Sequence, residues 1–142
     1  MDPEALRGLK AVYVVAASYV STDAQECSVS ESSLKTAAEF VVEQSQLKLT
    51  DPNAAQAVLS VTAAGSPVRD AAGQLQVCNV IVLVSVGTPI RGVTAWGTRV
   101  RSAEIWRQYT QVSAPPATVT AKTVDAVTDF AKALVVDWGK LN

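Results

Sequence analysis

Residues Leu75–Val86 read LQVCNVIVLVSV, and the placement of this run decides the fold. Eight of the twelve residues are Leu, Val or Ile. Taken as a strand, one alternating set is Cys78, Val80, Val82, Val84 and Val86. The other is Leu75, Val77, Ile81 and Leu83, interrupted by Asn79. A strand that is apolar on one side covers a core once. One that is apolar on both sides lies inside a sheet or is covered twice. The β-branched residues and the shortness of the run select strand over buried helix, and twelve residues are too few to span a bilayer as a helix.

Working outward, Arg69–Gly73 (RDAAG) predicts a hairpin turn into this strand from a preceding one at Ala55–Val68, where Ala57, Leu59, Val61 and Ala63 alternate with more polar residues. Leu9–Val20 (LKAVYVVAASYV) predicts the first strand, again apolar on both sides. Residues 1–8 read as a loose lead-in. Ser28-Val29-Ser30-Glu31 fits a capping box. Behind it Val29, Leu34, Ala37, Ala38, Val41 and Val42 recur at helical spacing, so a helix is expected to run to about Gln46. Leu47–Thr50 reads as a short extended exit, and Asp51-Pro52-Asn53 as a turn.

After Val86, the Gly- and Pro-containing segment Gly87–Gly97 reads as a long, bulged or mobile loop. Arg99–Val112 is expected to be the fourth strand, and Pro115-Pro116 to break it. The final helix is expected to be capped by Thr120. Its apolar stripe is Val124, Val127, Phe130, Ala131, Leu134, Val135, Trp138 and Leu141. The order is β-α-β-β-β-α over a single domain, residues 1–142. It predicts an α/β (α+β) two-layer sandwich, a mixed four-stranded sheet with two helices on one face. Two strands apolar on both sides leave the other sheet face oily, which points to self-association through that open face, a homo-oligomer, or to small residues that tolerate exposure.

Composition narrows the chemistry. The chain has 12 basic and 13 acidic residues, a net charge of −1 and no histidine. A nucleic-acid binder's basic excess is missing. Without imidazole, Ser-His-Asp and Cys-His catalysis are excluded. Neither phosphate-binding glycine motif occurs. The carboxylates scatter over outer helix faces. No catalytic, cofactor-binding or metal-ligating residue is therefore assigned, and the expectation is a protein that is not an enzyme and carries no cofactor.

Cys27 and Cys78 are the candidate disulfide. If the first and central strands run parallel, the two cysteines lie at opposite ends and stay unlinked. If the strands run antiparallel, they meet. A bridge would place the protein outside the cytoplasm. The candidate partner contact is Trp96, in the long loop, with Arg91, Arg99 and Arg101. For Trp96 the other reading is a ring folded back to cap the sheet, and for the arginines a solvated strand face. Trp138 reads as core, and Trp106 and Tyr109 as core or edge contacts.

The run LKLTDPNAAQAVLSVTAAG (47–65) and the Ile105-Trp106 pair resemble small bacterial envelope proteins, namely the amino-terminal domain of TolB and several small envelope lipoproteins. In these an extended exit, a D-P turn and an A-x-x-V-L-x-V strand follow the first helix. Gln56 stands where an acidic residue often does, and no lipid-anchored cysteine lies near residue 1. The resemblance implies a docking module in a multi-protein assembly. The expectation is a non-enzymatic envelope or periplasmic interaction module, with a protein partner or a second copy and no transmembrane segment. Its compartment is periplasmic or secreted with the signal peptide removed, or alternatively cytoplasmic. A second expectation is a binder of a small apolar ligand held between the sheet and the 87–97 loop.

Overall fold

In a computed structural model, backbone is described for residues 3–20, 22–93 and 99–142, and side chains for all of these except 3, 22–24, 90–93 and 99–102. The period-2 run that begins at Leu75 is a strand, and a neighbour flanks it on each side. The strands are β1 (Ala11–Val20), β2 (Lys48–Leu49), β3 (Ala57–Arg69), β4 (Leu75–Val93) and β5 (Arg99–Ala114). The helices are α1 (Glu31–Glu43) and α2 (Pro116–Leu141). Across the open sheet the order is β2-β1-β3-β4-β5. β1 runs parallel to β2 and β3, whereas β3 with β4 and β4 with β5 are antiparallel. The architecture is the mixed α+β arrangement expected.

One alternating set from each long strand faces the helices. Val12 and Val14, Leu59, Val61 and Ala63, and all of Cys78, Val80, Val82, Val84 and Val86 are buried. They join Leu34, Ala38 and Val42 of α1 and Val119, Val127 and Leu134 of α2 in one core. Burying aliphatic side chains is what holds two helices on one sheet face, at about 1.5–3 kcal/mol for each of the larger ones. The one buried polar side chain of this core among the described residues, Thr123, donates its hydroxyl to the Val119 carbonyl at 2.7 Å and so carries no unpaired donor.

Several boundaries differ from the sequence reading, each for a physical reason. The sheet has five strands. The exit at Lys48–Leu49 pairs with β1, Lys48 N–H donating to the Lys10 carbonyl and Thr50 N–H to that of Val12, both at 2.9 Å. Residues 3–6 of the lead-in form a 3-10 turn that buries Leu6. Asn142 ties this segment to the end of α2: its amide oxygen accepts from Gly8 N–H at 2.8 Å, and its nitrogen donates to the Leu6 carbonyl. Gly8 has φ +83°, a left-handed conformation that glycine adopts without strain.

Ser30, not Ser28, caps α1, its hydroxyl accepting from Ser33 N–H. Glu31 does not close a capping box. Its carboxylate accepts from Ser18 N–H on β1 at 2.9 Å, which satisfies a donor along the sheet's exposed edge. α2 begins at Pro116, a full turn before Thr120. A proline at the first helical position gives up only an N–H that would be unpaired there.

The largest difference is at Gly87–Gly97. Residues 87–93 are not loop. They continue β4 and pair with β5 as far as Val93 opposite Arg99, with irregular register after Val86 and Pro89. β3 supports β4 only to the Val58–Gly87 pair. Beyond that point β4 and β5 form a two-stranded ribbon, where Pro89 costs no third-strand hydrogen bond. Residues 94–98 lie outside the described ones.

The β3–β4 turn is held by one side chain. Asp70 Oδ1 accepts from the Ala72 and Gln74 N–H groups, both at 2.9 Å, and Oδ2 from Gln76 Nε2 at 3.0 Å, while Gly73 takes φ +79°. Replacing Asp70 by Ala removes acceptors for two amides at an exposed turn. The expected loss is about 1 kcal/mol, read as a lower urea midpoint at unchanged m-value.

Candidate functional site

Both helices lie on one side of the sheet, so the second alternating set of each strand faces outward; at the β1 edge Lys35 of α1 reaches round to the Tyr13 ring, its Nζ 5.5 Å from the centroid. The pairing places these residues in straight rows across β1, β3, β4 and β5. One row is Val15–Ser60–Ser85–Arg107, the next Ala17–Thr62–Leu83–Tyr109, and the next Tyr19–Ala64–Ile81–Gln111. Ser66–Asn79–Ser113 closes the series on β3, β4 and β5. Asn79, which interrupts the apolar pattern of β4, is thus on the outer face and accepts the hydroxyl proton of Ser113.

Tyr109 is 71% exposed, Tyr19 62% and Ile81 56%, with Val15 and Val68 also open on this face. Along these rows the one charged side chain is Arg107, held by Glu104 at 3.0 Å. The surface carries little charge, and its apolar residues Val15, Ala17, Tyr19, Ala64, Ile81, Leu83 and Tyr109 run across it among hydroxyl and amide side chains, with tyrosines on its two outer long strands. Tyrosine suits such a place, because it covers a large apolar area while keeping its hydroxyl in water. Nothing in the rows supplies an acid–base pair, and the described residues hold no cluster of three or more cysteines or carboxylates that could hold a metal.

The disulfide lies under the opposite face. Cys27 ends a 3-10 turn (Thr22–Cys27) that follows β1, and Cys78 is on β4. Their sulfurs are bonded, with α-carbons 5.4 Å apart. β1 runs parallel to β3 and β3 antiparallel to β4, so the antiparallel alternative applies: the end of β1 and the start of β4 share one end of the sheet. Both cysteines are buried. Arg69 and Glu26 pair near the same turn.

Of the other residues singled out in the sequence, Trp96 lies outside the described residues, as do the side chains of Arg91, Arg99 and Arg101. Trp106 is buried, and its indole N–H donates to Asp137 Oδ2 at 3.1 Å. Trp138 is half-buried against the core, its N–H donating to the Leu9 carbonyl at 2.6 Å. Tyr109, read as core or edge, is on the open face. Sequence reasoning did not select Tyr19 or Ile81 as contacts, and its edge reading of Tyr109, which lies on the edge strand β5, named no partner. The signal was present in the apolar second sets of the first and central strands, but alternation alone does not say which of their sets the helices cover. The reading of an apolar ligand under an 87–97 loop loses much of its loop, since 87–93 are strand.

No family model matches the sequence, and no curated protein matches it. Among solved structures the chain is similar to a PelC dodecamer from Paraburkholderia phytofirmans, at 14% identity and TM-score 0.48, over 91% of this chain and 90% of that one. It is also similar to the uncharacterized lipoprotein B of Nitrosomonas europaea, at 9% identity and TM-score 0.45, covering 95% and 88%. A minor lipoprotein from Acinetobacter baumannii is similar at 9% identity and TM-score 0.45, covering 93% and 95%. No described helix is long and apolar enough to cross a membrane.

Proposed function

We propose that this chain is a non-enzymatic interaction module of the bacterial envelope that docks protein through the uncovered sheet face. The observation that carries this reading is the outward row set, with Tyr19, Ile81 and Tyr109 each more than half exposed on one nearly charge-free surface. Contiguous apolar surface of this kind marks interaction sites on soluble domains, and interface centres are rich in tyrosine and poor in charge. The Cys27–Cys78 bridge supports a compartment where disulfides persist, outside the reducing cytoplasm. The resemblance of residues 47–65 to envelope docking domains is in keeping with it.

The test uses a photo-crosslinking amino acid placed at Tyr109 on the sheet face, or at Val136 on the outer side of α2, in the cells that make the protein. Both positions are exposed, so either substitution leaves the fold intact. The expected result is a discrete crosslinked adduct from position 109, formed outside the cytoplasm, and none from 136. Absence of an adduct at 109, or equal adducts at both positions, overturns the reading.

A further inference from the structure

We infer that the occupant of the open sheet face is a second copy of this chain, turned over about a two-fold axis that runs along the strands. This rests on the docking reading above and names its partner.

The argument is one of relief. On β1 and β3 four of the six outward residues in the first three rows are small, Ala17, Ser60, Thr62 and Ala64, the exceptions being Val15 and Tyr19 on β1. On β4 and β5 five of the six are large, Ile81, Leu83, Arg107, Tyr109 and Gln111, the exception being Ser85. The face therefore has a shallow half and a raised half, with the boundary between β3 and β4. Inverting a copy about an axis along that boundary lays its β1 across β5 and its β3 across β4. Each row then meets itself reversed. Tyr109 sits over the partner's Ala17 and Leu83 over the partner's Thr62. Ile81 sits over the partner's Ala64 and Gln111 beneath the partner's Tyr19. Large lies over small in three of these four contacts, Gln111 against Tyr19 being large on large, and every contact occurs twice, as an isologous interface requires. An axis across the strands would instead stack large on large and small on small.

Charge and size agree with this pairing. Two like-charged faces repel, whereas this face carries in its rows a single Arg107 already held by Glu104. Strands about 4.8 Å apart and residues rising about 3.3 Å each give a flat footprint of about 650 Å², larger once side-chain relief is counted. A stable interface needs about 800 Å² of accessible surface per partner. Sheets packed face to face keep their strands within about 30° of one another, so the match is closest near the axis, between β3 and β4, and loosens toward β1 and β5.

Sedimentation of the purified, oxidised protein across a concentration series tests this. A reversible dimer of the 14.9 kDa chain is expected. Replacing Ile81 by Lys puts a charge over the partner's Ala64 twice per dimer and is expected to weaken association ~100-fold or more. Tyr109→Ser serves as the second variant. Both positions are solvent-exposed in the monomer, so unchanged far-UV circular dichroism is expected. Register is read by mixing Ala17→Cys chains with Tyr109→Cys chains and linking the thiols with a short bis-maleimide, because facing sheets hold such α-carbons about 10 Å apart, beyond a direct disulfide. A covalent heterodimer that outweighs either homodimer supports the two-fold pairing. A protein that stays monomeric at every concentration overturns the second copy as occupant, and so does preferential Ala17–Ala17 linkage for the register. If the protein is monomeric while position 109 still forms an adduct of another mass in cells, docking through this face stands and the partner is a different protein.

Discussion

Replacing both Cys27 and Cys78 by Ala is expected to lower stability by about 4 kcal/mol, the largest effect of any change away from the aliphatic core. The bridge spans 51 positions, and closing a loop of that length removes about this much chain entropy from the unfolded state. For a domain of this size the thermal midpoint should fall by about 10–15 °C. Alanine is the informative replacement, because both sites are buried and serine would add an unpaired hydroxyl to the loss. Two measurements identify the mechanism. Adding a reductant to the native chain should produce the same fall, and the urea m-value should rise in the variant as its unfolded chain expands. A midpoint within about 3 °C of the parent would show that the turn is held by packing alone. In that case the compartment argument drawn from the bridge would lose its force as well.

That bridge also shows where the chain is legible and where it is not. From sequence the pairing turned on whether the first and central strands run parallel, and this is a property of a sheet, not of either cysteine. The alternation of β4 was readable because Cys78, Val80, Val82, Val84 and Val86 form an unbroken set, and all five are buried. The α2 stripe was readable for the same reason. Whether helices cover one set or the other was not readable while both were apolar, so Tyr109 could be placed on a strand without its direction. Local signals failed where a distant group intervened. Ser28 and Glu31 have capping-box spacing, but Glu31 is engaged by Ser18 on β1, 13 positions away, and the cap moves to Ser30. Pro89 reads as a strand breaker only if a third strand needs its amide, and β3 has already stopped at that height. Each miss is a tertiary contact overriding a correct local preference.

Gly65 is where sequence preference and structure pull hardest against each other. In a strand, Gly→Ala ordinarily gains about 0.5–1 kcal/mol through lost backbone freedom in the unfolded chain. Here the sign should reverse. Gly65 faces the helices between Ala63 and Pro67, opposite Val80 of β4 and Val20 of β1. A Cβ at this position would lie 2.8 Å from the Cys27 carbonyl oxygen, closer than such contacts occur, and 3.6 Å from the Cys27 Cβ. The obstacle is backbone, so no rotamer change relieves it. The Thr22–Cys27 turn must lift from the sheet, and Gly65→Ala should cost about 2 kcal/mol, with Val costing more. The bridge decides how freely that turn can lift, because Cys78 pairs with Pro67, two residues along β3 from the clash. In chains already lacking the bridge, Gly65→Ala should therefore cost less, with a coupling of about 1 kcal/mol in a double-mutant cycle. Additivity within about 0.4 kcal/mol would mean that the turn is seated independently of its disulfide. A stabilising Gly65→Ala would mean that the Cys27 carbonyl does not press on β3 at all.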